Sequence, residues 1–134
     1  MVNLVFDTEH CFSDDPTGGV VLDVELSLRS QSVHLKASVD SGAANCLFQA
    51  GYLECLGIDL REGQDLRFSV PDGGRITAYG HEVNLTVLGY TITSTVYFTA
   101  HEGFSRNVLG RQGWFHHFRV GLALYESRIY LGRV

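Results

Sequence analysis

From Val20 to Val39 the sequence alternates apolar and polar residues twice over, and the second run ends on a carboxylate. The first run sets Val20, Leu22, Val24, Leu26 and Leu28 on one face. The second sets Val33, Leu35, Ala37 and Val39 against His34, Lys36 and Ser38. Successive side chains of a strand point to opposite faces, so this period of two marks half-buried strands. Arg29-Ser30-Gln31-Ser32 reads as the hairpin turn between them. Two antiparallel strands thus deliver the chain to Asp40-Ser41-Gly42-Ala43. Glycine enters φ > 0 freely, which predicts a sharp turn at Gly42 that brings backbone N–H groups to the Asp40 carboxylate. A carboxylate held at a strand end and shielded from water has a pKa open to tuning, as acid–base chemistry requires.

The rest of the chain is also built for strands. Residues 2–6 predict a short apolar strand, and residues 7–19 a polar, punctuated loop. Beyond the Asp40 turn, Asn45 to Leu47 predicts a short strand and Gln49 to Leu56 a helical segment, stopped by Gly57 at the C′ position. Leu66, Phe68 and Val70 alternate, Pro71-Asp72-Gly73-Gly74 follows, and Arg75 to Tyr79 resumes; this predicts a hairpin. Gly80 interrupts the second arm and predicts a bulge or bend. Val83, Leu85 and Val87 carry on the alternation, Gly89 turns the chain, and Ile92 to Thr99 is rich in β-branched and aromatic residues. Val108-Leu109-Gly110 is a short apolar run, and Gln112 to Phe118 predicts one or two helical turns. Arg119 to Leu124 and Arg128 to Leu131 form a terminal hairpin turning near Tyr125-Glu126-Ser127. The fold class is mainly β, a closed or sandwich-like sheet with one or two short helices.

Composition limits the function classes. A chain of 134 residues predicts a single domain, 1–134, able to bury about two-thirds of its unfolded surface. The net charge is −5 with no run of Lys or Arg, so nucleic acid is not an expected partner. No stretch approaches the ~18 apolar residues of a membrane-spanning helix, and the N-terminus does not read as a signal peptide. Cys11, Cys46 and Cys55 are odd in number and lack metal-ligand spacing, which fits a reducing, cytoplasmic setting.

Asp40-Ser41-Gly42-Ala43 after an apolar strand resembles the signature of the retropepsin-like aspartic proteases. The resemblance continues in order along residues 20–131. A glycine-tipped hairpin over Val70 to Tyr79 stands where that family has its flap. Asn107-Val108-Leu109-Gly110-Arg111 then matches the family's apolar pair followed by Gly-Arg, with Gln112-Gly113-Trp114-Phe115 in the place of its short helix. The chain looks closest to the bacterial single-domain branch. The resemblance implies an acid-protease-like closed barrel of six or more strands, an aspartic endopeptidase without a cofactor, and polypeptide as substrate. It assigns catalysis to Asp40, Ser41 and Gly42, and substrate contacts to Ala43, Asp72, Gly73, Gly74 and Arg75. Leu109, Gly110 and Arg111 become structural neighbours of the site.

Peptide hydrolysis of this kind needs two carboxylates at about hydrogen-bond distance that share one proton, with a water between them. Like charges that close cannot both ionise, so the pair titrates as a unit and mildly acidic pH is expected to suit it. One Asp-Ser-Gly per chain implies a homodimer with the two Asp40 side chains meeting on its axis. In viral members an acidic residue two positions after the glycine pairs with the arginine; Ala44 stands there, leaving Arg111 without that partner. The rival reading is a catalytically inactive retropepsin-like fold that serves as a homodimerisation or peptide-binding module.

Other features carry less. Adjacent His116 and His117 point apart on either a helix or a strand, with no ligand-spaced Cys or carboxylate nearby, so no metal is expected. Cys46 reads as a small buried hydrophobe, Trp114 and Phe115 as core, and His34 and His81 as surface strand residues.

Overall fold

The computed structural model describes residues 1–13, 19–69 and 73–134. Its strands are β1 (Thr8–Cys11), β2 (Val21–Leu28), β3 (Gln31–Val39), β4 (Leu47–Gln49), β5 (Gln64–Ser69), β6 (Arg75–Val87), β7 (Tyr90–Thr99), β8 (Val108–Leu109), β9 (Phe118–Ala123) and β10 (Arg128–Arg133). The one α-helix among the described residues, α1, covers Gly51–Cys55, and its chain direction reverses at Gly57 with φ +71°. Short 3-10 turns lie at Leu60–Glu62, Phe115–His117 and Leu124–Glu126.

Six strands pair in a ring-like sheet in the order β2-β3-β8-β4-β7-β6, with β6 meeting β2 again and β5 attached outside β6. The alternation of β2 and β3 predicts their register: Leu22 faces Ala37 and Val24 faces Leu35 across the antiparallel ladder. Leu22, Val24, Leu26, Leu35 and Ala37 point into the main core with Val83, Leu85 and Val87 of β6. Each fully buried Leu or Val there stabilises by about 1.5–3 kcal/mol, which makes the pleat face of these strands non-negotiable. A separate three-stranded sheet, β1-β10-β9, holds the terminal hairpin.

Three expectations fail for physical reasons. Residues 2–6 form no strand, and Met1, Val2, Leu4 and Val5 stay exposed. Both edges of β10 are already taken, by β1 and by β9, and β1 lies inside the stretch expected to be loop. The short strand after the Asp40 turn falls at Leu47–Gln49, two residues later than Asn45 to Leu47, where it lies parallel to β7. Gly80 makes no bulge, since β6 runs unbroken for 13 residues. An added Cβ at Gly80 would come within 2.9 Å of the Tyr97 ring, so the glycine admits a close-packed aromatic.

The two faces of β6 serve different cores. Its odd face, Val83, Leu85 and Val87, belongs to the main core. On its even face Ile76 and Ala78 join Leu47 in a second cluster, covered by Phe68, Tyr97 and Phe104. Residues 75–78 of β6 pair with β5 alone; β7 joins from Tyr79 onward. His81 is half-buried rather than at the surface, with Nε2 at 2.8 Å from the Leu60 carbonyl.

Candidate active site

Asp40 is the first residue past β3, and the strand end that carries it is gripped on both sides. The Val39 N–H donates to the Val20 carbonyl (2.8 Å), and the Ser38 N–H to that of Asn107 (2.9 Å). β8 runs parallel alongside, Val108 beside Ser38 and Leu109 beside Val39. The Asp40 N–H then donates to the Leu109 carbonyl (3.0 Å), fixing the backbone from which the carboxylate projects.

The turn itself is built around that carboxylate. The Gly42 N–H donates to Asp40 Oδ1 at 2.9 Å, and the Ala43 N–H to the Asp40 carbonyl at 3.2 Å. Gly42 is not in the left-handed region, so a positive φ is not what calls for a glycine here. Its role is space: an added Cβ would sit 3.1 Å from Asp40 Oδ1, tighter than an ordinary contact.

Gly110-Arg111-Gln112 holds the far side of the loop. The Arg111 N–H donates to the Ala43 carbonyl (2.9 Å) and the Gln112 N–H to that of Ala44 (2.8 Å). Arg111 Nη1 donates to the Ser41 carbonyl at 2.8 Å, so the arginine binds the loop's backbone rather than a carboxylate. Gly110 passes so close to the Asn45 and Ala43 backbones that a Cβ there would collide with both. Behind it, the Gly110 N–H points at Cys46 Sγ (3.3 Å). Burial pushes the Cys46 thiol up to about 11, offset in part by its hydrogen bond with the Gly110 backbone. A thiol so far from ionisation is packing, not a nucleophile.

In front of Asp40 lies a groove of about 650 Å³. Its lining comes from four places. Asp40, Gly42, Ala43, Ala44 and Asn45 form the loop side, and Leu47 and Val108 come from β4 and β8. Phe68, Ser69 and Ile76 belong to the β5–β6 hairpin, and His101, Gly103, Phe104 and Arg106 to the segment before β8. The groove therefore lies over the second apolar cluster, with one carboxylate among its described lining residues.

Of the residues singled out from sequence, Asp40, Gly42 and Ala43 line the groove. Ser41 is exposed beside it and gives its carbonyl to Arg111. Leu109 and Gly110 are buried beneath the loop. Gly73 (φ +87°), Gly74 and Arg75 are exposed at the hairpin end and are not among the lining residues. Asp72 and Val70-Pro71 fall outside the described residues. His101, Phe104 and Arg106 were not foreseen, because residues 100–106 show no periodicity and only folding brings them to Asp40. Asn107 opens the Asn-Val-Leu-Gly-Arg motif, and its side chain does work that no local pattern shows. Its Nδ2 donates to the Lys36 carbonyl and the Tyr52 hydroxyl, both at 3.1 Å, and its Oδ1 accepts from the Gln49 N–H at 3.1 Å.

A mainly β chain with a ring-like sheet and an Asp-Ser-Gly turn opening on a groove has the fold of the retropepsin-like aspartic proteases. A crystal structure of a retropepsin-like aspartic protease from Rickettsia conorii matches it with a TM-score of 0.70. That match covers 93% of this chain and 99% of the other at 15% sequence identity, a likeness of fold. No protein-family model and no curated protein matches the sequence.

Proposed function

We propose that this chain is an aspartic endopeptidase, with the affinities of the bacterial single-domain branch, that cleaves extended polypeptide as a homodimer. One observation carries the reading: a carboxylate fixed by its own turn, Asp40 with the Gly42 N–H on Oδ1, opens onto a peptide-sized groove. Asp40 is the single carboxylate among the described lining residues, and the chemistry needs two; a second copy related by a two-fold axis supplies the other.

In that dimer the two Asp40 side chains share one proton across the axis. The ionised member takes a proton from the water between them as it attacks, and the protonated member polarises the scissile carbonyl. Ser41 hydrogen-bonds across the dyad, and the Gly42 N–H keeps the carboxylate aimed. The β5–β6 hairpin acts as the flap, with Asp72, Gly73, Gly74 and Arg75 at its end closing over a substrate held as an added strand. The ring of strands, read as a closed barrel, supplies the rigid base. A cytoplasmic setting belongs to the same proposal; among the described residues no helix is long and apolar enough to cross a membrane.

The test is Asp40→Asn. Cleavage of a mixed peptide library at pH 4–7 is expected to fall by at least about a thousandfold with the melting curve unchanged. Sedimentation is expected to show a dimer in the presence of substrate. Cleavage that survives the substitution overturns the assignment.

A further inference from the structure

The rim of the groove in front of Asp40 carries a cation and a ring N–H donor that the apolar floor does not require. Arg106 and His101 line it together with Phe104, all three from the segment between β7 and β8. Both are exposed, and neither makes an ion pair among the described residues. The Arg106 side chain also makes no hydrogen bond among the described residues. A guanidinium is a planar fork of donors that matches a carboxylate bidentately, and here no described residue uses it.

The segment that carries them is built to hold its shape. Thr99 Oγ1 accepts the His101 N–H at 3.1 Å and donates to the Thr77 carbonyl at 2.9 Å, tying the segment's start to β6. The Phe104 N–H donates to the His101 carbonyl (3.0 Å), and Gln49 Nε2 to the Phe104 carbonyl (3.3 Å). Asn107 closes the far end with its three side-chain bonds. The Gly103 N–H donates to His101 Nδ1 at 3.1 Å, so the proton of the neutral ring sits on Nε2, free to donate. A segment anchored at both ends presents its cation without a large ordering cost on binding.

We infer that the groove selects polypeptide carrying an acidic side chain, Asp or Glu, beside a large apolar one near the bond presented to Asp40. The apolar side chain packs on Phe68, Phe104 and Val108, and the carboxylate pairs with Arg106 and the His101 N–H. The inference rests on the peptidase reading of the groove. Glu102, exposed between the two donors, is not a lining residue and does not neutralise the rim from inside. The chain's net charge of −5 would repel such a substrate in general, so the preference must be local to this rim.

The experiment uses matched peptides that differ only by Glu, Gln or Lys at each position flanking the cleaved bond. Wild-type kcat/KM is measured on them, and binding is measured by fluorescence anisotropy on the Asp40→Asn protein. At one or more positions Glu is expected to exceed Gln by roughly three- to tenfold, the scale of a partly solvated charge pair, with Lys lowest. Arg106→Gln should erase that order and Arg106→Glu should invert it towards Lys, with the fold of each variant checked by its melting curve. Equal rates and equal binding for Glu and Gln overturn the inference, as does an Arg106→Glu protein that keeps the wild-type order. If no peptide is cleaved but Glu peptides bind more tightly and Arg106→Glu reverses this, the peptidase reading falls while the acidic-ligand inference stands.

Discussion

The two walls that face each other across the groove are made in opposite ways. The Asp40 loop is short and irregular, yet it is tied from beneath by Leu109, from the side by Arg111 and Gln112, and within itself by Gly42. The β5–β6 hairpin is regular, yet among the described residues β5 has β6 as its only strand partner, and the first four residues of β5 are exposed. Regular secondary structure is therefore the looser wall and the loop the stiffer one. Stiffness follows the number of independent elements that bond a segment, not its dihedral regularity.

The largest expected break in that contrast is Gly110→Ala. A Cβ there runs into the Asn45 and Ala43 backbones, which cannot swing aside as a side chain could. Denaturant unfolding should show a loss of about 3 kcal/mol or more. Next in size is thiol chemistry at Cys46, behind the tied wall. With its thiol pushed up to about 11 by burial, it holds roughly a hundredfold less thiolate than a free cysteine and should resist alkylation at pH 8. Exposed Cys11 and Cys55 should react readily; equal labelling of all three would mean the stiff wall opens freely.

Smaller changes sharpen the comparison. Arg111→Ala removes the bond to the Ser41 carbonyl and should cost about 1 kcal/mol, because the guanidinium is exposed. Gly73→Ala forces a side chain into φ +87° and should cost a similar ~1 kcal/mol. Hydrogen exchange separates the two: Gly73→Ala should speed the β5 amides and leave those of Asp40 and Arg111 alone, and Arg111→Ala the reverse. Leu66→Thr, at an exposed position near the outer end of the second cluster, should cost no more than about 1 kcal/mol, read by denaturant unfolding.

What the sequence made legible was what local periodicity encodes. The β2–β3 pair, both arms of the β5–β6 hairpin, β7 and the terminal hairpin follow from alternation and turn chemistry. β1 was hidden because Thr8–Cys11 owes its strand to pairing with β10, more than a hundred residues away. Asp40 and Gly42 stood out, but the space Gly42 must leave is a through-space fact no pattern reports. The segment that carries His101 and Arg106 reaches the groove through side-chain bonds of Thr99, Gln49 and Asn107, which no local pattern reports. A strand glycine such as Gly80 reads as a break because it often is one; here a ring from the neighbouring strand fills the space of its missing side chain.

The unbroken course of β6 has a mechanical consequence. One continuous ribbon forms both the hairpin's inner arm and a stave of the main core, so unzipping that begins at Gly73 meets an end stop. Up to Ala78 each step breaks ladder pairing with β5 alone, besides the Thr99 bond to the Thr77 carbonyl and the second apolar cluster; from Tyr79 it would have to peel off β7 as well, and past Gly80 it would have to lift buried Val83 from the interior. The arm can fray and re-form many times while the ring behind it keeps its register.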